Sequence, residues 1–576
     1  MIPPSILLQH STFTPMISHH FSRFINRHHQ PQHPDFTTLV RRLCDAVDAG
    51  SSCLDLSSQS EHPAETWREI LACDRDGSAV ASPGGSAPLI LTEDNRLYLQ
   101  RYYQHEQHIV RAVNQRIRTT TGDLAPSILQ RIEDLFETTE GNDQAHAALR
   151  ALKHSFTIIS GGPGTGKTTT VLKILLLLKE SLIFTHPSEC LLLAPTGKAA
   201  DRLRQSILTG MKALKINDPE FPTETSTIHR ALGYLQGSIE FKHDAQNPLQ
   251  AKVVIVDETS MTDLTLMSRL MEALPAETRV ILLGDKNQLA SVQVGTVLGD
   301  LMEVAESPGH SLSECAVTLN RSYRTQGPIS AACSAIRDGN ADNAWQEIMH
   351  SETDVAGALI HHTLPDHPAA ALTPFVQQHW LPVLKNNTMT DEEKLQAIDR
   401  FRILCPTHNG RYGIKAINTA VDHILSRHGI DTSSTWYPGR SVIVQTNDYA
   451  LNIFNGDTGL VGQSDDSTYV SFPSNEEPRN ISPALLPEVH TAWALTIHRT
   501  QGSEYDHILL IIPPCSESPI LSRELLYTGL SRAKQSATLW CTEQSFSDTV
   551  NSTVQRASGL PQMLRGKAQN HVTNPH

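Results

Sequence analysis

Phe156-Thr157-Ile158-Ile159-Ser160-Gly161-Gly162-Pro163-Gly164-Thr165-Gly166-Lys167-Thr168-Thr169-Thr170 decides how this chain folds. An apolar run enters a glycine-rich turn, and the turn opens into the helix-like stretch Val171 to Leu176. That order of strand, turn and helix is the setting in which GxxxxGK[ST] binds phosphate. Glycines let the backbone curl so that its N–H groups point inward, and the helix adds the positive end of its dipole. Gly161, Gly162, Pro163, Gly164, Thr165, Gly166 and Thr169 then form a nucleotide cradle with Lys167 and Thr168. Lys167 reaches the β- and γ-phosphates, and the Thr168 hydroxyl holds Mg²⁺.

Working outward, the chain alternates short apolar runs with helical patterns, the mark of a parallel sheet with crossovers. Phe156–Ser160, Cys190–Ala194, Val253–Val256 and Val280–Leu283 read as strands of a first unit spanning residues 111–310. A short β-like excursion interrupts it at about 233–250. A second series spans residues 311–545, with strands at Ala316–Leu319, Phe401–Cys405, His490–Leu495, His507–Ile511 and Ala537–Trp540. Inside it, about 439–487, Ser441-Val442-Ile443-Val444, the turn Asn455 to Gly459 and Tyr469-Val470-Ser471-Phe472 read as a small β-barrel insertion. Residues 1–110 read as a mainly helical N-terminal domain, with helix-like pieces at Phe36–Ala49 and Arg96–Arg111. Residues 546–576 read as a polar, loose tail.

At 576 residues, the chain is too long for one core. Its composition, 39% hydrophobic and 19% charged, is that of an ordinary globular protein. Apolar runs are too short to span a bilayer, and the N-terminus lacks the features of a secretory signal. Nine scattered cysteines without a CxxC pair point to a reducing compartment and away from structural zinc, so the expected location is cytoplasmic and no membrane partner is expected. The net charge of −14 does not exclude nucleic acid, because binding depends on a local groove. No lysine precedes Lys153, so the N-terminal region reads as a protein-contact module rather than a phosphate clamp. His19, His20, His28 and His29 lack companion ligands at metal spacing.

Ninety residues beyond Lys167, Val253-Val254-Ile255-Val256 ends in Asp257-Glu258. Asp257 is placed to complete the Mg²⁺ site, and Glu258 to orient or deprotonate the attacking water. Gln288, in Gly284-Asp285-Lys286-Asn287-Gln288-Leu289, is placed to sense the terminal phosphate. Phosphoryl transfer also needs positive charge beyond the γ-phosphate. Arg324 and Arg532 are the candidates, reaching it across a cleft between the two α/β units.

These pieces together resemble superfamily-one helicases and, within them, the RecD family, the α subunit of exodeoxyribonuclease V. The resemblance runs from about residue 95 to 540. It rests on Asn142 to Ala145, Gly161 to Thr170, Leu193 to Ala200, Thr227 to Arg230, Asp257 to Met261, Gly284 to Leu289, Ser322 to Arg324, Thr496 to Glu504 and Tyr527 to Lys534. His498-Arg499 stands where the family pattern suggests His-Lys. The resemblance implies two RecA-like P-loop motor domains moving 5′ to 3′ on single-stranded DNA, using ATP and Mg²⁺ and acting on duplex ends. It implies that Gln144 reads the adenine edge and that Gly502 and Glu504 touch nucleotide. It also implies β and γ partner subunits, a junction pin after His229, and a subunit contact through Gly50–Leu56 and Arg96–Glu106. Thr196, Thr227, His229, Thr496 and His498 would contact DNA phosphates without reading bases. Each hydroxyl could equally cap a helix.

A free-standing 5′–3′ helicase of the same branch is the alternative to a subunit of such a complex. A nuclease would need an acidic cluster with a lysine outside the ATPase motifs, which this sequence does not offer. Intact Lys167, Asp257, Glu258 and Arg532 speak against a non-catalytic structural subunit.

Overall fold

Around the phosphate loop, six parallel strands form one sheet in the order Ala316–Leu319, Phe156–Gly161, Arg279–Gly284, Val253–Val256, Cys190–Ala194, Thr225–Thr227. The computed structural model that shows this describes residues 16–31, 33–72, 79–120, 122–136, 142–234, 240–321, 327–352, 355–448, 450–464, 467–473 and 478–568. Val253 to Val256 are completely buried, as a central parallel strand covered on both faces requires. One face packs Ile159, Ile255 and Leu283 against Val171, Leu175 and Leu203. The other packs Val254, Val256 and Leu282 against Met267, Leu270 and Leu301.

A second parallel sheet runs Ala358–Thr363, Ala533–Cys541, Tyr505–Ile511, Phe401–Cys405, Ala494–Thr496. The insertion is a five-stranded antiparallel sheet in the order Arg479–Ile481, Thr468–Phe472, Thr458–Gln463, Ser441–Val444, Val489–Thr491. Val442, Val444, Val461, Val470 and Phe472 give it its own small core.

Several expectations need correction. Ala316–Leu319 does not open the second series; it pairs with the phosphate-loop strand, Leu319 beside Gly161, and closes the first sheet. The run His490–Leu495 is split: Val489–Thr491 belongs to the antiparallel sheet and Ala494–Thr496 to the parallel one. Between residues 233 and 250, an isolated bridge joins Tyr234 and Phe241, and residues 235–239 lie outside the described residues.

The N-terminal region is mixed rather than mainly helical. Cys53–Asp55, Arg96–Leu99, Leu89–Leu91 and Val80–Ala81 form a four-stranded sheet beside the helices Met16–His29 and Pro34–Asp48. Arg96–Leu99, expected as helix, is a strand, and the helix begins at Gln100 and runs to Ile117. Arg116 near its end is buried and donates from Nε to the Thr278 carbonyl (3.0 Å) and from Nη2 to the Pro275 carbonyl (2.6 Å). That welds the helix to the first unit across the expected boundary. Leu54, Leu56, Tyr98 and Glu106 are buried inside the chain, so much of Gly50–Leu56 and Arg96–Glu106 is used up internally.

The C-terminal stretch is not loose as far as residue 568. After the helix Glu543–Asn551, the chain crosses back to the first unit and the N-terminal sheet and forms the helix Leu560–Ala568. Leu560 and Leu564 join the first unit's core. Gly559 fits only because it lacks a side chain, since a Cβ there would lie 1.8 Å from Tyr98 Oη. Its N–H, the Ser52 hydroxyl and the Ser558 hydroxyl all donate to Oε1 of buried Glu106 (3.2, 2.5 and 3.1 Å).

Candidate nucleotide cleft and nucleic-acid groove

Gly164 and Gly166 adopt φ of 77° and 78°, the left-handed region that lets the phosphate loop turn inward. Gly166 caps the helix Lys167–Glu180, so Lys167 and Thr168 stand on its first turn. Lys167 Nζ donates to the carbonyls of Gly161 (2.5 Å) and Gly162 (3.0 Å). Asn142 caps the helix Asp143–Lys153 by accepting from the Gln144 N–H (3.0 Å). The Gln144 side chain thereby meets the loop, its Nε2 donating to the Thr165 carbonyl (3.0 Å).

Asp257 leaves the central strand with its N–H bonded to the Leu193 carbonyl (2.8 Å). Its Oδ1 accepts from the Glu258 N–H (2.8 Å). Glu258 holds φ 49°, ψ 41°, a left-handed conformation that costs a non-glycine residue free energy and is concentrated at functional sites. Burial, and then the charge of Glu258, raise the Asp257 pKa above the usual carboxylate range, while Lys167 and Arg202 oppose the rise. Asp257, beside Glu258 and within the field of Lys167, together with the Thr168 hydroxyl on the first turn of the loop helix, is an oxygen donor set that suits Mg²⁺.

The second unit supplies the opposite wall. Tyr527 Oη donates to Asp285 Oδ2 (2.8 Å), and a Cβ on Gly162 would lie 2.9 Å from that same Oη. Buried Gln288 donates from Nε2 to Asp285 Oδ2 (3.3 Å), leaving its Oε1 buried without a partner. The next residue is held from both sides, Leu289 N–H by Thr528 Oγ1 (2.9 Å) and the Leu289 carbonyl by Gln501 Nε2 (2.7 Å). Arg532 is buried, donating from Nε to the Thr528 carbonyl (2.9 Å) and from Nη1 to the Ser503 carbonyl (3.2 Å). Burial lowers its pKa, and the carboxylates of Glu258, Glu504 and Asp285 oppose that. Arg324 lies outside the described residues, and Arg321 is exposed. A cavity of about 70 Å³ separates the two walls, lined by Gly162, Pro163, Thr165, Asn320, Arg337 and Tyr527 among others.

Arg202, Asp285, Arg337 and Tyr527 were not singled out from sequence. Arg202 Nη2 pairs with Glu504 Oε1, and its Nη1 donates to the Gly502 carbonyl (3.3 Å). Burial lowers the Arg202 pKa, but Glu504, then Glu258 and Asp257, outweigh that and raise it overall. Gly502 and Glu504 therefore sit at the seam between the units.

Beside the cleft runs a groove of about 1180 Å³. Thr196, Lys198, Thr227, His229 and Arg230 line it from the first unit, and Asn455, His498 and Arg499 from the second. Thr196 and Thr227 do cap helices, accepting from the N–H groups of Ala199 and Arg230 (3.2 Å each). Burial lowers the pKa values of His229 and His498, so both imidazoles are neutral near pH 7. Thr496 departs from expectation: it is buried beneath the groove and does not line it. The far wall comes from the antiparallel insertion, whose flank brings Phe454 against Gly197, where a Cβ would lie 3.0 Å from the ring.

Two α/β units that share a phosphate-loop cleft, with an open groove running alongside, fit a nucleotide-driven helicase. The family models agree: residues 144–294 match an AAA domain, and residues 491–540 match a UvrD-like helicase C-terminal domain. RecBCD enzyme subunit RecD of Mycolicibacterium smegmatis is 34% identical over 90% of this chain and 92% of its own length. The subunit of that name from Haemophilus influenzae is 31% identical over 87% of this chain and 85% of its own. The ATP-dependent RecD2 DNA helicase of Deinococcus radiodurans is 29% identical over 79% of this chain but only 56% of its own length. The chain belongs to the RecD family of ATP-dependent DNA helicases.

Proposed function

We propose that this chain moves 5′ to 3′ along single-stranded DNA and unwinds duplex ends as the RecD subunit of a cytoplasmic RecBCD-type nuclease complex. The observation that carries the reading is the adjacency of cleft and groove, both built from the same two units. Similarity to RecD subunits along nearly their whole length favours the complex over a free-standing helicase. Among the described residues, no helix is long and apolar enough to cross a membrane.

In this reading the two parallel sheets are RecA-like motor domains, and the antiparallel insertion is a small barrel forming one wall of the track. The N-terminal residues before about 110 offer the surface for the RecB- and RecC-type partners. ATP lies between the walls. Gln144 reads the adenine edge, the loop from Gly161 to Thr169 cradles the phosphates, and Lys167 leaves its carbonyl partners to neutralise the β- and γ-oxygens. Gly502 and Glu504 complete the nucleotide site from the second unit. Thr168 and Asp257 would hold Mg²⁺, which when bound supplies charge neutralisation at the phosphates. Glu258 orients the attacking water and Gln288 offers its unpartnered Oε1 to it. Arg532, with Arg324, stabilises the charge that develops on the transferred group. Thr196, Thr227, His229 and His498 hold the strand without reading bases, and Thr496 supports them from below.

Strand displacement from duplexes carrying a single-stranded tail tests the proposal. A 5′-tailed duplex should be unwound in an ATP-dependent reaction that Lys167→Gln abolishes. Unwinding of only 3′-tailed duplexes would overturn the polarity, and full activity in Lys167→Gln would overturn the site.

A further inference from the structure

The helix Gly197–Ala213 enters both functional regions. Its start, with the Thr196 cap and Lys198, lines the groove. Arg202, four residues after Lys198 and so about 6 Å further along the axis on nearly the same face, reaches the cleft. There the guanidinium forks onto Glu504 and the Gly502 carbonyl. Gly502, at φ 72°, faces this helix: a Cβ built on it would lie 3.6 Å from Ala199 Cβ. Between the two residues Arg202 holds lies Ser503, whose carbonyl accepts from Arg532 Nη1 (3.2 Å). A continuous chain of contacts thus runs from Thr196 and Lys198, through Arg202, to Gly502–Glu504 and on to Arg532.

We infer that Arg202 is the positioning residue through which strand binding in the groove sets the hydrolytic cleft. A strand gripped at Thr196 and Lys198 shifts the helix, Arg202 carries the shift into Gly502–Glu504, and the Ser503 carbonyl re-aims Arg532. Because Gly502 and Glu504 also touch nucleotide, the shift changes nucleotide affinity as well as turnover; that binding part of the coupling is reciprocal, so nucleotide changes the affinity for the strand through Arg202. The inference rests on the groove being the DNA track, as proposed above.

The full-length chain carrying Arg202→Gln, which keeps the volume and loses the charge, tests it with an oligothymidine and a non-hydrolysable ATP analogue as probes. Stimulation of kcat by the oligonucleotide should fall about tenfold, within the range typical of coupling between sites. Oligonucleotide affinity without nucleotide should stay near the value of the parent chain. The analogue should no longer change oligonucleotide affinity. Arg202→Lys should restore part of the coupling, because an ammonium reaches Glu504 but cannot fork onto Gly502 as well. Unchanged coupling in Arg202→Gln overturns the inference, and so does an equal fall in basal and stimulated turnover. Undiminished oligonucleotide binding by a Lys198→Ala/Arg230→Ala variant would instead overturn the groove reading beneath it.

Discussion

The cleft and the groove lie side by side in the same two units, yet their side chains are held in opposite ways. In the cleft, Lys167, Gln288 and Arg532 are pinned by carbonyls and carboxylates, and Asp285 and Arg532 are almost fully buried. In the groove, the contacts are helix-capping hydroxyls, uncharged imidazoles and a few cations around a wide channel. The contrast follows from the two tasks. Phosphoryl transfer gains from fixed charges kept out of water, whereas a track must hold a strand and let it go.

Replacing Arg532 is the strongest way to break this contrast. If its buried charge serves the transition state, Arg532→Ala should lower ATP turnover by about 10³–10⁵-fold with nucleotide still bound. Steady-state turnover and analogue binding measured on one preparation would show it. Groove substitutions should act more gently. Arg230→Ala should weaken oligonucleotide binding and lower the slope of log affinity against log salt by about one, measured by fluorescence titration at several salt concentrations. A collapse of binding comparable to the Arg532 effect on turnover would mean that the groove is wired as tightly as the cleft.

The smallest expected effect concerns Glu106, where burial acts without a cation beside it. Burial pushes its pKa up to about 7, against the hydrogen bonds from Ser52, Gly559 and Tyr98, which pull it down. The folded chain therefore binds this proton more tightly than the unfolded chain does, whose value is 4.5. Stability linked to it is fully present below the unfolded value and is lost as pH rises through the folded one. Between about pH 5 and 7, Glu106→Gln should flatten the decline in Tm with pH, since the amide resembles the protonated acid. A decline as steep as that of the parent chain would count against this.

Much of the cleft was legible from sequence because local chemistry dictates it. A buried four-residue run ending in Asp257-Glu258, or glycines spaced around Lys167, has few physical alternatives. The sheet that Ala316–Leu319 joins was not legible, because a four-residue strand carries no sign of its partner and the helices around it decide. The N-terminal sheet was missed since its strands are two to four residues long, too short for alternation to register. The last helix was missed because its buried apolar side chains, Leu560 and Leu564 chief among them, are few and lie in a polar stretch. Arg202 and Phe454 are ordinary residues in sequence, and their importance comes from what the second unit brings to them. Thr496 shows the converse, a residue in a recognisable motif that folding places beneath the surface it was expected to form.

One coupling joins the two regions: occupation of the groove drives hydrolysis in the cleft. ATP turnover by the full-length chain, measured with and without saturating oligothymidine, tests this most directly. Turnover should rise when the oligonucleotide is added. Equal turnover with and without it, while the oligonucleotide is demonstrably bound, would contradict the coupling of cleft and groove.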